Sequence, residues 1–204
     1  MRKKDFYIFR HGQTDLNVQG VWQGAKIDAL LNEKGKEQAE ELAEKVRLLN
    51  LTNLYSSPML RAVQTANILA TKASKWNDYP VTILQDLREC NFGQCEGLSM
   101  DEAQECYGYD YVQSILFPNQ KTWGYRFRGG ESKEEVFWRV SAVLKHIFVL
   151  LPWEGYDRIG VVSHAGVISA LQCGLGLKDV SYDNCSILHL SYEAESQKWS
   201  QIFD

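Results

Sequence analysis

Phe6-Tyr7-Ile8-Phe9-Arg10-His11-Gly12-Gln13-Thr14 holds the key to this chain: four consecutive apolar residues run into an arginine, a histidine and then a glycine. A short apolar run closed by glycine reads as a buried strand. Burial of a strand does not account for a cationic, titratable pair at its end, so the pair marks the place where the strand meets a ligand.

On either side of it the chain alternates strand-like and helix-like segments, which predicts an α/β fold: a three-layer α/β/α sandwich with a mostly parallel central sheet and helices on both faces. Residues 34–49 carry Ala39, Leu42, Ala43, Val46 and Leu49 on one helical stripe and Glu40, Glu41, Glu44 and Lys45 on the other side. Leu54-Tyr55 reads as a second strand leading into a helix, with Ser57 as its N-cap, Pro58 at its first position, and Ala62, Ala66 and Leu69 along it. Val81 to Leu84 reads as a third strand. Residues 131–151 form the strongest helical pattern, through Val136, Val140, Val143, Leu144, Ile147, Phe148 and Leu151. Ile159 to Val162 reads as a fully buried strand with a further helix behind it. Leu188 to Tyr192 and Trp199 to Phe203 read as a closing hairpin. The aromatic-rich segment 107–130 has no clean period and reads as a lid or insertion over the site. Residues 1–204 are expected to form a single domain.

At 204 residues, 45% apolar and 12% aromatic, the chain can fill one substantial core. A net charge of −4, with 22 Lys+Arg against 26 Asp+Glu, predicts neither a nucleic-acid nor a membrane partner. No apolar stretch approaches the roughly 18 residues that suggest a membrane span. Five cysteines without a C-x-x-C pair, in a chain with no secretory apolar region, point to a reducing, cytoplasmic location.

In open α/β sheets, ligands gather at the carboxyl ends of strands. There this sequence places Arg10 and His11 after the first strand, Ser57 and Arg61 after the second, Glu89 after the third and His164 after the fourth. Two arginines and two histidines converging in an acidic protein make a local cationic pocket suited to phosphate. Flanking arginines disfavour imidazolium, so His11 is expected to be neutral and able to attack phosphorus. Glu89 is suited to protonating the departing alkoxide and then deprotonating water. Arg10, Arg61 and His164 are placed to stabilise the transferring phosphoryl group. No metal-ligand pattern appears, and no cofactor is expected.

These residues also carry a resemblance. Arg10-His11-Gly12-Gln13-Thr14 with Asn17, Ser57-Pro58-x-x-Arg61-Ala62-x-Gln64-Thr65-Ala66, Leu87-x-Glu89-x-x-Phe92-Gly93-x-x-Glu96-Gly97, Gly130-Glu131-Ser132 and Ser163-His164-Ala165-Gly166 resemble, in order, the signature blocks of the histidine phosphatase superfamily, the phosphoglycerate mutase-like group with its RHG motif. The resemblance implies that His11 is the phosphorylated nucleophile, that Arg10, Arg61 and His164 bind the phosphate, that Glu89 is the proton donor, and that Asn17 and Gln23 touch phosphate or substrate. Gly12 is expected to leave room for the phosphate against the backbone.

The expected activity is therefore a metal-independent phosphomonoesterase of the histidine acid phosphatase type, working through phosphohistidine on a small phosphorylated substrate. Phosphoglycerate mutases usually carry Arg, His and Tyr directly after the acid, whereas Cys90, Asn91 and Phe92 stand after Glu89 here, which favours hydrolysis over mutase chemistry. A mutase is the alternative, and a non-catalytic phosphate-binding module a further one. Arg126 and Arg128 could grip a second anionic group or be solvated loop charges. Trp22, Trp123 and Tyr125 are candidates to line the substrate pocket; Trp138, Trp153 and Trp199 read as core, Cys90 and Cys95 as packing residues, and His146 and His189 as structural or surface histidines. A homodimer through an exposed sheet edge is possible on this pattern.

Overall fold

The computed structural model describes residues 3–72, 81–151, 157–177 and 183–202. Its elements run β1 (Lys3–Arg10), α1 (Asp15–Val18), α2 (Glu33–Leu49), β2 (Asn53–Ser56), α3 (Leu60–Lys72), β3 (Thr82–Ile83), α4 (Met100–Tyr107), α5 (Tyr109–Leu116), α6 (Lys133–Leu150), β4 (Arg158–Ser163), α7 (Ala165–Leu175), β5 (Ile187–Glu193) and β6 (Lys198–Gln201). The six strands form one sheet in the order β3-β2-β4-β1-β5-β6. The first four are mutually parallel, and the β5–β6 hairpin adds two antiparallel strands beside β1.

Strand alternation creates the three layers. Successive side chains on a strand point to opposite faces. Phe6 and Ile8 of β1, with Ile159 and Val161 of β4, enter a core shared with α4, α5, α6 and α7. Tyr7 and Phe9, with Val162, enter a second core with α2 and α3. The apolar run Phe6–Phe9 is thus a strand buried on both sides.

The helices follow from their stripes and caps. α2 starts where Asn32 Oδ1 accepts from Gly35 N and ends at Asn50, which takes the left-handed conformation at φ 48°. α6 starts at Ser132, whose hydroxyl accepts from Glu135 N while the Glu135 carboxylate accepts from Ser132 N.

Several expectations need correction. The helix after β2 begins at Leu60, with Pro58 in a bend before it, although Ser57 Oγ does accept from Met59 N. The third strand shrinks to two exposed residues. The aperiodic segment contains α5, preceded by α4 with its own Ser99–Glu102 capping box. Trp138 is 60% exposed on α6 and is no core residue, whereas Trp199 packs on Phe6 and Tyr192. Pro152, Trp153 and Phe203 lie outside the described residues. No helix among the described residues is long and apolar enough to cross a membrane.

Candidate active site

Sheet order assembles the site. β2, β4 and β1 are consecutive neighbours, and Ser57, His164 and His11 are each the residue immediately after its strand. Adjacent strands lie about 4.8 Å apart, and the His11 and His164 ring centroids are 5.2 Å apart. Backbone bonds prolong this register beyond the strands: His11 N donates to Ser163 O at 3.1 Å and Ser57 N to Val162 O at 2.9 Å.

His11 is 3% exposed, and its Nδ1 lies 2.7 Å from the Gly12 carbonyl oxygen. A carbonyl only accepts, so Nδ1 carries the proton and Nε2 keeps the lone pair. Burial is the largest cause holding this imidazole well below its ordinary value of 6.5, with the Arg61 and Arg10 charges next. The arginines invoked from the sequence are therefore the lesser influence. His164 is fully buried and depressed for the same first reason, followed by the charges of Arg61, His11 and Arg10. Its Nε2 shares a 2.7 Å hydrogen bond with Ser57 Oγ, and its Nδ1 is buried without a partner among the described residues. A Ser57 hydroxyl donating to Nε2 leaves the proton on Nδ1, where it is available to a bound oxyanion.

Arg61, 1% exposed, rises from the first turn of α3, donating through its two terminal nitrogens to Gly24 O at 2.8 Å and Ile27 O at 3.1 Å. The loop that pins it is itself held by Glu96, whose carboxylate accepts from Ala25 N, Lys26 N and Phe92 N. Arg10 ends β1 and lines the adjoining cavity. Burial disfavours the charge on both guanidiniums, and Glu89 opposes that on each. Glu89, 7% exposed, comes shortly after a 3-10 turn at Gln85–Leu87. Its carboxylate accepts from Cys90 N at 2.7 Å and from Gly166 N, in the first turn of α7, at 3.2 Å.

Arg10, His11, Arg61, Glu89 and His164 are thus gathered in one place. Asn17 lines the same cavity, and its Oδ1 caps the Thr14 N–H. Gln23 is buried in the loop that holds Arg61, its Oε1 without a partner among the described residues, and is not part of the cavity wall. The fold itself requires glycine at position 12: a Cβ there would strike the Gly35 carbonyl of α2. Thr65, another motif residue, accepts from Gly12 N at 3.0 Å and so ties α3 to the loop that follows β1.

Beside this cage lies a cavity of about 280 Å³. Trp22 lines it; Trp123 and Tyr125 do not, packing instead on Phe137 and Tyr111. Arg126 is paired with Glu135 at 2.6 Å and Arg128 is exposed, so neither reaches the cavity. Burial raises the thiols of Cys90 and Cys95 to about 12, consistent with packing roles. His146 is exposed on α6, and His189 stacks on Tyr7 at 4.2 Å.

One charged lining residue escaped the sequence reading: Lys133, 3% exposed, whose Nζ donates to Gly166 O at 3.2 Å. The available signal was its place on the α6 stripe, three and four residues before Val136 and Phe137, where a solvated lysine does not belong.

Known proteins share both sequence and architecture with this chain. The sequence model of the histidine phosphatase superfamily (branch 1) matches residues 6–204. Phosphoglycerate mutase-like protein 4 of Arabidopsis thaliana is 33% identical over 168 residues, 82% of this chain and 69% of that protein. 6-Phosphofructo-2-kinase/fructose-2,6-bisphosphatase 1 of Mus musculus is 28% identical over 170 residues, 82% of this chain; the match spans only 32% of that longer protein. The structure of mycobacterial glucosyl-3-phosphoglycerate phosphatase with VO3 superposes with a TM-score of 0.84 at 26% identity, covering 98% of this chain and 97% of that one.

Proposed function

Since the chain belongs to the histidine phosphatase superfamily, whose members here include phosphatases and mutase-like proteins, we propose that it is a metal-independent phosphomonoesterase that hydrolyses a small phosphorylated metabolite through a phosphohistidine. The observation that carries this reading is the 2.7 Å bond of His11 Nδ1 to Gly12 O, which fixes the proton on Nδ1 and turns Nε2 into the lone-pair nitrogen, while burial and two guanidiniums hold the ring neutral.

In the first step the Nε2 lone pair attacks phosphorus, the P–O ester bond breaks, and the leaving alkoxide takes a proton from the Glu89 carboxyl group. In the second, the Glu89 carboxylate takes a proton from water as the water oxygen bonds to phosphorus. The P–N bond then returns its electron pair to Nε2 and inorganic phosphate departs. Arg10, Arg61 and the His164 Nδ1–H serve the equatorial oxygens, where charge spreads in the transition state. Asn17 borders the substrate, and Gln23 supports the Arg61 loop.

The residues directly after Glu89 favour hydrolysis over mutase transfer. Cys90 turns its thiol to the Glu131 carbonyl and Phe92 packs edge-on against Trp22 at 4.7 Å, so neither supplies the charged group expected of a mutase. The test is p-nitrophenyl phosphate turnover with and without EDTA. EDTA-resistant release of p-nitrophenol, reduced at least about 1,000-fold in His11→Ala, is expected. Chelator-sensitive turnover, or an active His11→Ala, refutes the proposal. With 3-phosphoglycerate, free phosphate marks a phosphatase and an isomerised ester marks a mutase.

A further inference from the structure

The cavity beside the cage has an uneven chemistry. Away from Arg10 and Glu89 its walls are mostly apolar, with Val21, Trp22, Met100, Leu116, Phe117 and Ile168 beside the amides of Asn17 and Gln172, and Ser169 spends its hydroxyl on Leu116 O. Into this apolar space comes one buried cation, Lys133. Its ammonium carries three N–H donors, one of which is given to Gly166 O, while Nζ stands 5.2 Å from the Phe92 ring centroid. It forms no ion pair among the described residues. A buried ammonium is costly without an anionic or well-bonded partner.

The position of Lys133 limits what that partner can be. A Cβ built on Gly166 would meet both the Glu89 carboxylate and Lys133 Nζ, so acid and ammonium flank one point at the start of α7. If Glu89 protonates the ester oxygen, the ammonium next to it reaches a group on the carbon that bears that oxygen. We propose that Lys133 is a specificity-determining residue that binds a carboxylate on the carbinol carbon of the phosphoester, while the apolar walls take an uncharged hydrocarbon or aromatic remainder. This rests on the phosphatase reading above. At about 280 Å³ the cavity is slightly below the roughly 300–1,000 Å³ of sites for drug-sized ligands, which suits a compact molecule. A polyhydroxylated sugar would bring several hydroxyls against walls that, beyond the Asn17 and Gln172 amides, are apolar.

The discriminating pair is 2-phospho-3-phenyllactate and 1-phenylpropan-2-yl phosphate, which differ only by carboxylate against methyl. The native protein is expected to favour the carboxylated ester in kcat/KM by about 10- to 100-fold, the range of a charge-assisted hydrogen bond in a buried site. In Lys133→Met that ratio falls to near one, chiefly through a higher KM for the carboxylated ester. Lys133→Arg, which keeps the charge, retains a preference. 2-Phospholactate, lacking the phenyl group, should have a higher KM than its phenyl analogue. A native protein that treats the two esters alike overturns the proposal, with no variant needed. So does a Lys133→Met protein that slows both esters by one factor, which would make the lysine a positioning residue for Glu89. Calorimetric titration of both esters into His11→Ala separates the two levels. Tighter binding of the carboxylated ester without turnover in the native protein keeps the Lys133 assignment and removes the phosphatase reading; equal hydrolysis of both does the reverse.

Discussion

Gly166 shows how little room separates the groups that matter. In the first turn of α7 its N–H donates to Glu89, its carbonyl accepts from Lys133, and its missing side chain makes way for both. Alanine is the better helix former by about 1 kcal/mol. Gly166→Ala is therefore expected to leave the fold intact while displacing the acid. A misplacement of about 1 Å at a reacting group can cost about 100-fold, so kcat should fall by that order with the melting temperature within a few degrees of the parent. Steady-state kinetics beside a thermal melt checks this; an active Gly166→Ala protein would show that Glu89 is free to move. Much at the residue scale was readable in advance, because His11, Arg61, Glu89 and His164 carry their chemistry in their side chains. The packing that requires the glycines was not. Gly12 faces Gly35 of α2, a partner distant in sequence that no local pattern reveals.

At the level of elements, the segment carrying Glu89 has little secondary structure of its own and is held from α6. Arg139 donates to Asp86 O at 2.7 Å and Arg88 O at 3.1 Å, and is itself gripped by both oxygens of Glu131 at 3.1 Å. Glu131 also accepts from Asn91 N at 2.9 Å and from Arg88. One carboxylate thus anchors both ends of the acid loop. Removing it leaves Arg139 and the Asn91 N–H without their partner, so Glu131→Ala is expected to destabilise by about 2–3 kcal/mol and to lower kcat more than it raises KM. Denaturant unfolding and kinetics measure the two effects; a change confined to KM would mean that the loop is held by other contacts. The long strands and helices were legible because the apolar run of β1 and the stripes of α2 and α6 are local. α4 and α5 are eight residues each, too short for a decisive period, and a helix of that length gains its stability from packing. One local cue was present in Ser99-Met-Asp-Glu102, the capping box of α4.

Over the whole molecule, the site sits between two cores and buries two neutral imidazoles, which links folding to pH. The folded protein holds His11 and His164 well below 6.5, the value expected of an unfolded chain. Above about pH 7 both rings are neutral in either state, so neither makes stability depend on pH. As pH falls through 6.5 the unfolded chain takes up two protons that the folded site refuses. Unfolding is then favoured by up to about 1.4 kcal/mol per pH unit for each ring, down to the folded values. Thermal melts between about pH 8 and about pH 5.5 should show a plateau and then a decline beginning near 6.5. A His11→Asn/His164→Asn protein should decline much less over that interval, since His146 and His189 are present in both proteins and cancel in the comparison. Equal slopes for the two would mean that the cage accepts protons as readily as water does, and His11 would then be no neutral nucleophile waiting for phosphate.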